Sequence, residues 1–137
     1  MGIRLDHIGI AVNDLESGSK FWNILGLTQG EDETNHEQGV DIRFFNTVSG
    51  DNPPRIELLA PTGEDTPIGR FLSKRGAGVQ QIAFRVDDLD TLLTRLISEG
   101  IRLINDTPSE GAGGSRIAFV HPSSTGGVLV ELLEFDD

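Results

Sequence analysis

The sequence predicts an α+β fold: two pseudo-symmetric βαβββ modules forming a cupped eight-stranded mixed sheet, with helices on its convex face. Three observations predict it. The chain writes one pattern twice, "LDHIGIAVNDL" at 5–15 and "VQQIAFRVDDL" at 79–89. A second pair of segments, "RIELL" at 55–59 and "LVELL" at 129–133, keeps the same spacing of 74 residues, and that spacing also pairs Phe45 with Phe119. Within each copy a two-residue hydrophobic period gives way to a helical one and then to short strands. One spacing kept across separated segments marks a duplicated unit. The copies run over about 3–62 and 76–135, a connector at 63–75 joins them, and together the 137 residues make one domain. Neither copy alone, at roughly 65 residues, would bury enough surface to be comfortable.

Each copy begins with a strand. In "HIGIAV" Ile8, Ile10 and Val12 point one way, while His7, Gly9 and Ala11 point the other. The second copy matches, with Ile82, Phe84 and Val86 opposite Gln81, Ala83 and Arg85. The apolar face needs a helix, and "DDLDTLLTRLISEG" supplies one: Leu89, Leu92, Leu93, Leu96 and Ile97 recur at helical spacing. Asp87 or Asp88 can cap it, and Gly100 suits the position past its end. In the first copy Leu15, Phe21, Trp22 and Leu25 form the stripe, with Gly18 inside the helix and Gly26 after it. Strands follow around "TQGED", "VDIRFFNT" and "PRIELLAP", then around "RLIND", "SRIAFVHP" and "GVLVELLEF". Turn residues separate them: "SGDNPP" at 49–54, "GAGG" at 111–114 and "SSTGG" at 123–127. The connector holds a short helix, with Pro67 in its first turn and Gly76 after its end.

Composition narrows the function. Twenty-two acidic residues against 11 basic ones give a formal charge of −11, which repels nucleic acid and anionic membrane surfaces alike. The absence of cysteine excludes disulfides, thiolate metal sites and cysteine nucleophiles. No secretory signal pattern or apolar run of spanning length is present, so the expected location is the cytoplasm.

The strand faces opposite the helices carry His7, Glu57, Gln81 and Glu131. Glu57 and Glu131 lie mid-strand at equivalent positions of the repeat, between Ile56 and Leu58 and between Val130 and Leu132. Carboxylates are seldom buried there unless paired or coordinating. If pseudo-twofold symmetry brings the copies together, the four residues converge on one divalent cation. One imidazole, one amide oxygen and two carboxylates suit six-coordinate Co, Mn or Ni, or Zn at an expanded site, and leave two adjacent positions for water or substrate.

In this arrangement the chain resembles the vicinal oxygen chelate (glyoxalase/bleomycin resistance/dioxygenase) superfamily along essentially its whole length. Within it the similarity is greatest to methylmalonyl-CoA epimerases. The segments that carry it are "DHIGIAV", "EQGV" at 37–40, "TPIGRFLSKRGAGVQQIAFRVDDLD" at 66–90, "GSRIAFVHP" at 114–122 and "STGGVLVELLE" at 124–134. The resemblance implies an isomerase, a divalent metal held by His7, Glu57, Gln81 and Glu131, an acyl-CoA substrate and usually a homodimer. It makes Glu131 the first candidate base and Glu57 the second, with His121, Ser124, Thr125 and Gly126 as substrate contacts. Three positions depart from the epimerase pattern. Gln81 replaces a histidine, Ser123 replaces a lysine often found after His-Pro, and Ile42 stands where some epimerases carry a glutamate.

The expected chemistry is proton transfer at a carbon beside a thioester, through an enolate that a Lewis acid stabilises. Two other functions stay open. The His/Gln/Glu/Glu donor set is also that of glyoxalase I-type lyases such as lactoylglutathione lyase. A metal-free small-molecule-binding (resistance) module of the same fold follows if Gln81 abolishes metal affinity. An extradiol dioxygenase is disfavoured because its iron needs two histidines. Among the remaining polar groups, His36 reads as an exposed loop residue and Trp22 as core. Arg70, Lys74 and Arg75 read either as a solvated face or as contacts for CoA phosphates.

Overall fold

The computed structural model describes residues 2–47 and 53–136, with the backbone alone at Ala112. Most of the turn expected at 49–54 lies outside these residues. The described residues form nine strands and three α-helices, an α+β fold with both parallel and antiparallel strand pairs. The chain divides into two units, His7–Gln80 and Gln81–Asp137 with Met1–Asp6.

In the first unit β1 (Ile3–Ala11, of which residues from His7 onward belong here) lies parallel to β5 (Arg55–Pro61). Antiparallel to β5 runs β4 (Val40–Asn46), which also pairs β2 (Thr28–Gln29). A strand that the alternation does not reveal, β3 (Glu33–Asn35), is exposed throughout and pairs β4 as well. It is one of nine strands among the described residues, where eight were expected.

Helix α1 (Leu15–Leu25) covers one face of this unit. Asp14 caps it, accepting from the Glu16 and Ser17 amides at 3.0 and 3.2 Å. The bonds from Ser17 hold the Asp14 carboxyl below its ordinary pKa, as expected of a carboxylate at a helix N-terminus. Leu15 and Trp22 pack with Ile10, Val12, Phe45, Leu58 and Ala60. The expected stripe is corrected at two positions: Phe21 is 60% exposed and Leu25 58%. Ser19 is buried in their stead, its hydroxyl donating to the Leu15 carbonyl at 2.5 Å. Arg43, buried on β4, explains the exchange. It donates to the Ser19 hydroxyl at 3.0 Å, to the Asp32 carboxylate twice at 2.9 Å and to Glu16 at 3.2 Å. A polar anchor therefore occupies the place where an apolar seam was expected. Gly18 has a structural reason too: a Cβ there would lie 2.9 Å from Val12 Cγ1. The helix crosses the end of β1 closely enough to exclude even a methyl group.

The connector helix α2 (Pro67–Arg75) forms where the sequence places it. Thr66 caps it, Pro67 opens it and Gly76 follows it. It packs on the face opposite α1, its Ile68, Phe71 and Leu72 against Ala11, Val40, Ile42 and Leu59. The "EQGV" segment meets the start of this helix. Gly39 has φ +65°, its carbonyl accepts from the Thr62 amide at 2.9 Å, and a Cβ on it would lie 2.5 Å from Thr66 Cγ2. Two of the segments that carry the resemblance thus fit against each other.

The second unit repeats the plan. In it β6 (Gly78–Val86, from Gln81 onward) lies parallel to β9 (Leu129–Glu134), and β8 (Arg116–Val120) pairs antiparallel with both β9 and β7 (Ser109–Glu110). The strand expected at "RLIND" is reduced to a single bridge, Leu103 to Val120. Helix α3 (Leu89–Ser98) packs Leu89, Leu92, Leu93 and Leu96 on Phe84, Val86, Ala118, Val120, Val130 and Leu132, leaving Ile97 51% exposed. Asp88 is its cap, accepting from the Thr91 amide, while Asp87 accepts from the Gly2 amide. Glu134 adds a longer tie, accepting from the Leu89 amide at 2.8 Å and from Arg116 at 3.2 Å.

The strand registers correct one equivalence. Phe44 faces Glu57 across β4–β5, and Phe119 faces Glu131 across β8–β9. The partner of Phe119 in the repeat is therefore Phe44, 75 positions away, whereas Phe45 is fully buried toward α1. The spacing shifts by one because the loop between β4 and β5 is a residue longer than its twin.

Candidate metal and active site

Strand register builds a half-site in the first unit. In the parallel pair β1–β5, His7 stands beside Arg55 and Gly9 beside Glu57. The side chains of His7 and Glu57 share a face, and Nδ1 of His7 lies 3.1 Å from Oε2 of Glu57. Both residues are buried, at 5% and 6% exposure. Asp6, on the same strand, is also buried. Among the described residues, Asp6, His7 and Glu57 form the one cluster in which three metal-binding side chains offer ligand atoms within 4.8 Å of one another.

The second unit builds a donor pair of the same construction. Glu131 lies between Ala83 of β6 and Phe119 of β8, as Glu57 lies between Gly9 and Phe44. The Gln81 amide nitrogen donates to Oε1 of Glu131 at 3.1 Å, and Glu131 is 9% exposed. Each glutamate therefore has a very small residue on one side and a phenylalanine on the other.

The chemistry of each donor pair, taken by itself, suits a divalent cation. Two ligands at about 2.1 Å from one octahedral ion and at right angles to each other stand about 3.0 Å apart. The 3.1 Å separations within both pairs have that scale. In the Gln81–Glu131 pair the amide points its nitrogen at the carboxylate; turning it about its last bond presents the oxygen, the atom a hard cation takes.

The remaining candidates lie in the loop between β8 and β9, and the loop itself engages them. His121 Nδ1 accepts from the Ser123 amide at 3.0 Å, and the Ser124 hydroxyl accepts from the Arg102 amide at 3.0 Å. The Thr125 hydroxyl donates to the Val128 carbonyl, and Gly126 turns the chain with φ +88°. His36 is exposed, and Trp22, on α1, packs partly buried against the core. Arg70 pairs with Asp65 at 2.8 Å, and the Arg75 guanidinium stands over Phe71 on the surface of α2.

Two residues at the first half-site escaped the sequence pattern. Asp6 breaks the apolar alternation of Ile8, Ile10 and Val12, the one signal that could have marked it. Arg55 is half-buried, lies over the Phe44 ring at 5.0 Å and comes within 4.0 Å of Glu57 Oε2.

A family model described as the Glyoxalase/Bleomycin resistance protein/Dioxygenase superfamily matches residues 6–119, and the chain belongs to that superfamily. Within it the chain is an epimerase-like enzyme. It is 42% identical to a methylmalonyl-CoA epimerase from Mycobacterium tuberculosis of known structure, with a TM-score of 0.87 over 97% of this chain and 88% of that one. A Streptomyces coelicolor methylmalonyl-CoA epimerase, solved with 2-nitronate-propionyl-CoA, is 39% identical with a TM-score of 0.86, covering 96% of this chain and 94% of that one. An uncharacterised Bacillus subtilis protein is 42% identical over 132 residues, 96% of this chain and 91% of its own. No helix among the described residues is long and apolar enough to cross a membrane.

Proposed function

We propose that this chain is a metal-dependent epimerase acting at the α-carbon of a 2-substituted malonyl-CoA, methylmalonyl-CoA first among them. The observation that carries the reading is the pair of buried donor sets, His7–Glu57 and Gln81–Glu131, each closed at 3.1 Å and each at the same position of the repeat. The identity to methylmalonyl-CoA epimerases over almost the whole chain supports it. In this reading His7, Glu57, Gln81 and Glu131 together hold one Co, Mn, Ni or Zn ion. The chain acts as one domain of two modules, 3–62 and 76–135, in a homodimer.

The bound cation would supply Lewis-acid stabilisation of the negative charge that develops on the thioester oxygen. The residues of the chain do the rest. Glu131, ionised, takes the α-proton from one face of the substrate, and Glu57, protonated at the start of that turn, gives its proton to the other, so the centre inverts and the two residues exchange roles. His7 and Gln81, beside Glu57 and Glu131, would hold the cation together with them, which fixes where both carboxylates meet the substrate. Phe44 and Phe119 keep the flanks dry, which prolongs the life of the developing carbanion. Residues 121–126 hold the acyl-CoA through His121, Ser124, Thr125 and Gly126.

The test is incubation of the purified protein with (2R)- or (2S)-methylmalonyl-CoA in D2O, with metal analysis of protein prepared without chelators. Inversion with uptake of one deuteron at the α-carbon is expected, together with about one equivalent of divalent metal. The His/Gln/Glu/Glu donor set also favours a glyoxalase I-type lyase. Turnover of methylglyoxal with a thiol, and none of methylmalonyl-CoA, replaces the first reading with that one. Neither reaction and no bound metal leaves a small-molecule-binding module.

A further inference from the structure

Helix α2 stands on the sheet face that carries the first donor pair. Across β1, β5 and β4, Gly9, Glu57 and Phe44 form one row, and Ala11, Leu59 and Ile42 form the next on the same face. Ile68, Phe71 and Leu72 of α2 pack on this second row. The helix therefore rises two residues along the strand from Glu57, about 7 Å, and makes a wall beside it.

Its charge is unlike that of the chain around it. The whole chain carries −11, yet no carboxylate occurs between Asp65 and Asp87, the longest interval without one. Arg70, Lys74 and Arg75 are all exposed. Glu64 and Asp65 precede the first turn, and Asp65 takes Arg70 at 2.8 Å. Lys74 and Arg75 lie in the last turn, at the other end of the helix. The partial charge of the helix C-terminus, about −0.5, answers only part of these two cations and leaves about +1.5. The Arg75 guanidinium stands over the Phe71 ring at 5.9 Å, which keeps it on the side of the helix nearest the sheet.

We propose that the last turn of α2, through Lys74 and Arg75, binds the phosphates of the coenzyme A moiety. The inference rests on the acyl-CoA reading above and places the far end of that substrate on this chain. Coenzyme A carries a diphosphate and a 3′-phosphate, which an acidic protein repels unless cations meet them locally. Its pantetheine arm is at least as long as α2, about 13 Å, so a basic wall beside the donor pair serves both ends of one ligand. The guanidinium fork can take two phosphate oxygens, and the ammonium adds a mobile point charge.

Titration calorimetry of CoA, dephospho-CoA and pantetheine tests this on the wild type, Lys74→Gln, Arg75→Gln and the double variant. Arg95→Gln, which removes an exposed last-turn cation from α3, is the control. The wild type should bind CoA more tightly than pantetheine. Each single substitution should weaken CoA binding about 3- to 10-fold and the double about 10- to 50-fold, with pantetheine changed less than about twofold. Arg95→Gln should change neither by more than about twofold. With dephospho-CoA, sensitivity kept supports the diphosphate as the group bound, and sensitivity lost supports the 3′-phosphate. Equal weakening of CoA and pantetheine, an effect of Arg95→Gln as large as the others, or no wild-type preference for CoA overturns the inference. Deuterium exchange into methylmalonyl-CoA is followed separately, and the double variant should raise KM more than it lowers kcat. A wild type that binds CoA through these residues but exchanges no deuterium overturns the epimerase reading and leaves the phosphate site standing. Exchange with CoA binding indifferent to both residues does the reverse.

Discussion

Replacing Gly18 by alanine sets two known effects against each other, and the structure decides between them. Inside a helix, glycine costs about 0.5–1 kcal/mol relative to alanine through its backbone freedom, so Gly18→Ala on a free helix would stabilise. Here the new methyl would stand 2.9 Å from Val12 Cγ1, 3.0 Å from its Cβ and 3.1 Å from its Cγ2. Val12 is β-branched and 9% exposed, so it has little room to rotate away. Overpacking of this kind costs about 1–3 kcal/mol. The net expectation is a destabilisation of up to about 2 kcal/mol. Removing the obstacle should reverse the sign: in a Val12→Ala background two of the three close atoms are gone, and Gly18→Ala should be neutral or stabilising by up to about 0.5 kcal/mol. Urea unfolding of the wild type, both single variants and the double variant measures the coupling, expected at about 1–2.5 kcal/mol. If Gly18→Ala stabilises the wild type as much as it stabilises Val12→Ala, the close helix–strand crossing is wrong.

Further outcomes follow from the site and its supports. Glu57→Gln and Glu131→Gln should each abolish inversion, the enzyme that keeps Glu131 or Glu57 respectively still exchanging the α-proton from its own side; the double variant should show no exchange by mass spectrometry. A divalent ion at a free concentration about 100 times its Kd should stabilise the protein by roughly 2.7 kcal/mol in thermal unfolding, and the same shift in His7→Ala/Glu131→Gln would refute the donor assignment. The Arg43 guanidinium holds the Asp32 carboxyl below its ordinary range, a depressed folded-state pKa. Its contribution is complete above the unfolded value near 3.8 and is lost as pH falls through the folded one. Asp32→Asn should therefore lower stability at neutral pH and flatten its decline below about pH 4, read from acid unfolding curves.

The parts of the fold that were legible in the sequence are those fixed by hydrophobic period. The pattern of "HIGIAV" and "QQIAF", the leucine stripe of α3, the cap at Asp88 and the connector helix opened by Pro67 all appear as the residues dictate. The parts that were not legible depend on partners distant in the chain. Nothing local announces that Arg43 will bury itself under α1 and draw Ser19 inward, leaving Phe21 and Leu25 outside. Strand β3 is exposed throughout, so it has no apolar face to betray it; it exists because β4 offers it an edge. The Phe45–Phe119 equivalence failed for a related reason, since a one-residue difference in a loop moves a whole strand against the repeat spacing. At the candidate site the repeat placed both glutamates, whereas Arg55 became visible only through the register that sets it beside His7.

The two donor pairs have a consequence for how such a centre would be filled. Because His7 already answers Glu57, and Gln81 already answers Glu131, neither carboxylate needs a visitor to keep its shape. An incoming ion would replace two internal bonds instead of organising loose side chains, so little ordering would accompany its arrival. At the glutamine the exchange comes down to a half-turn of one amide.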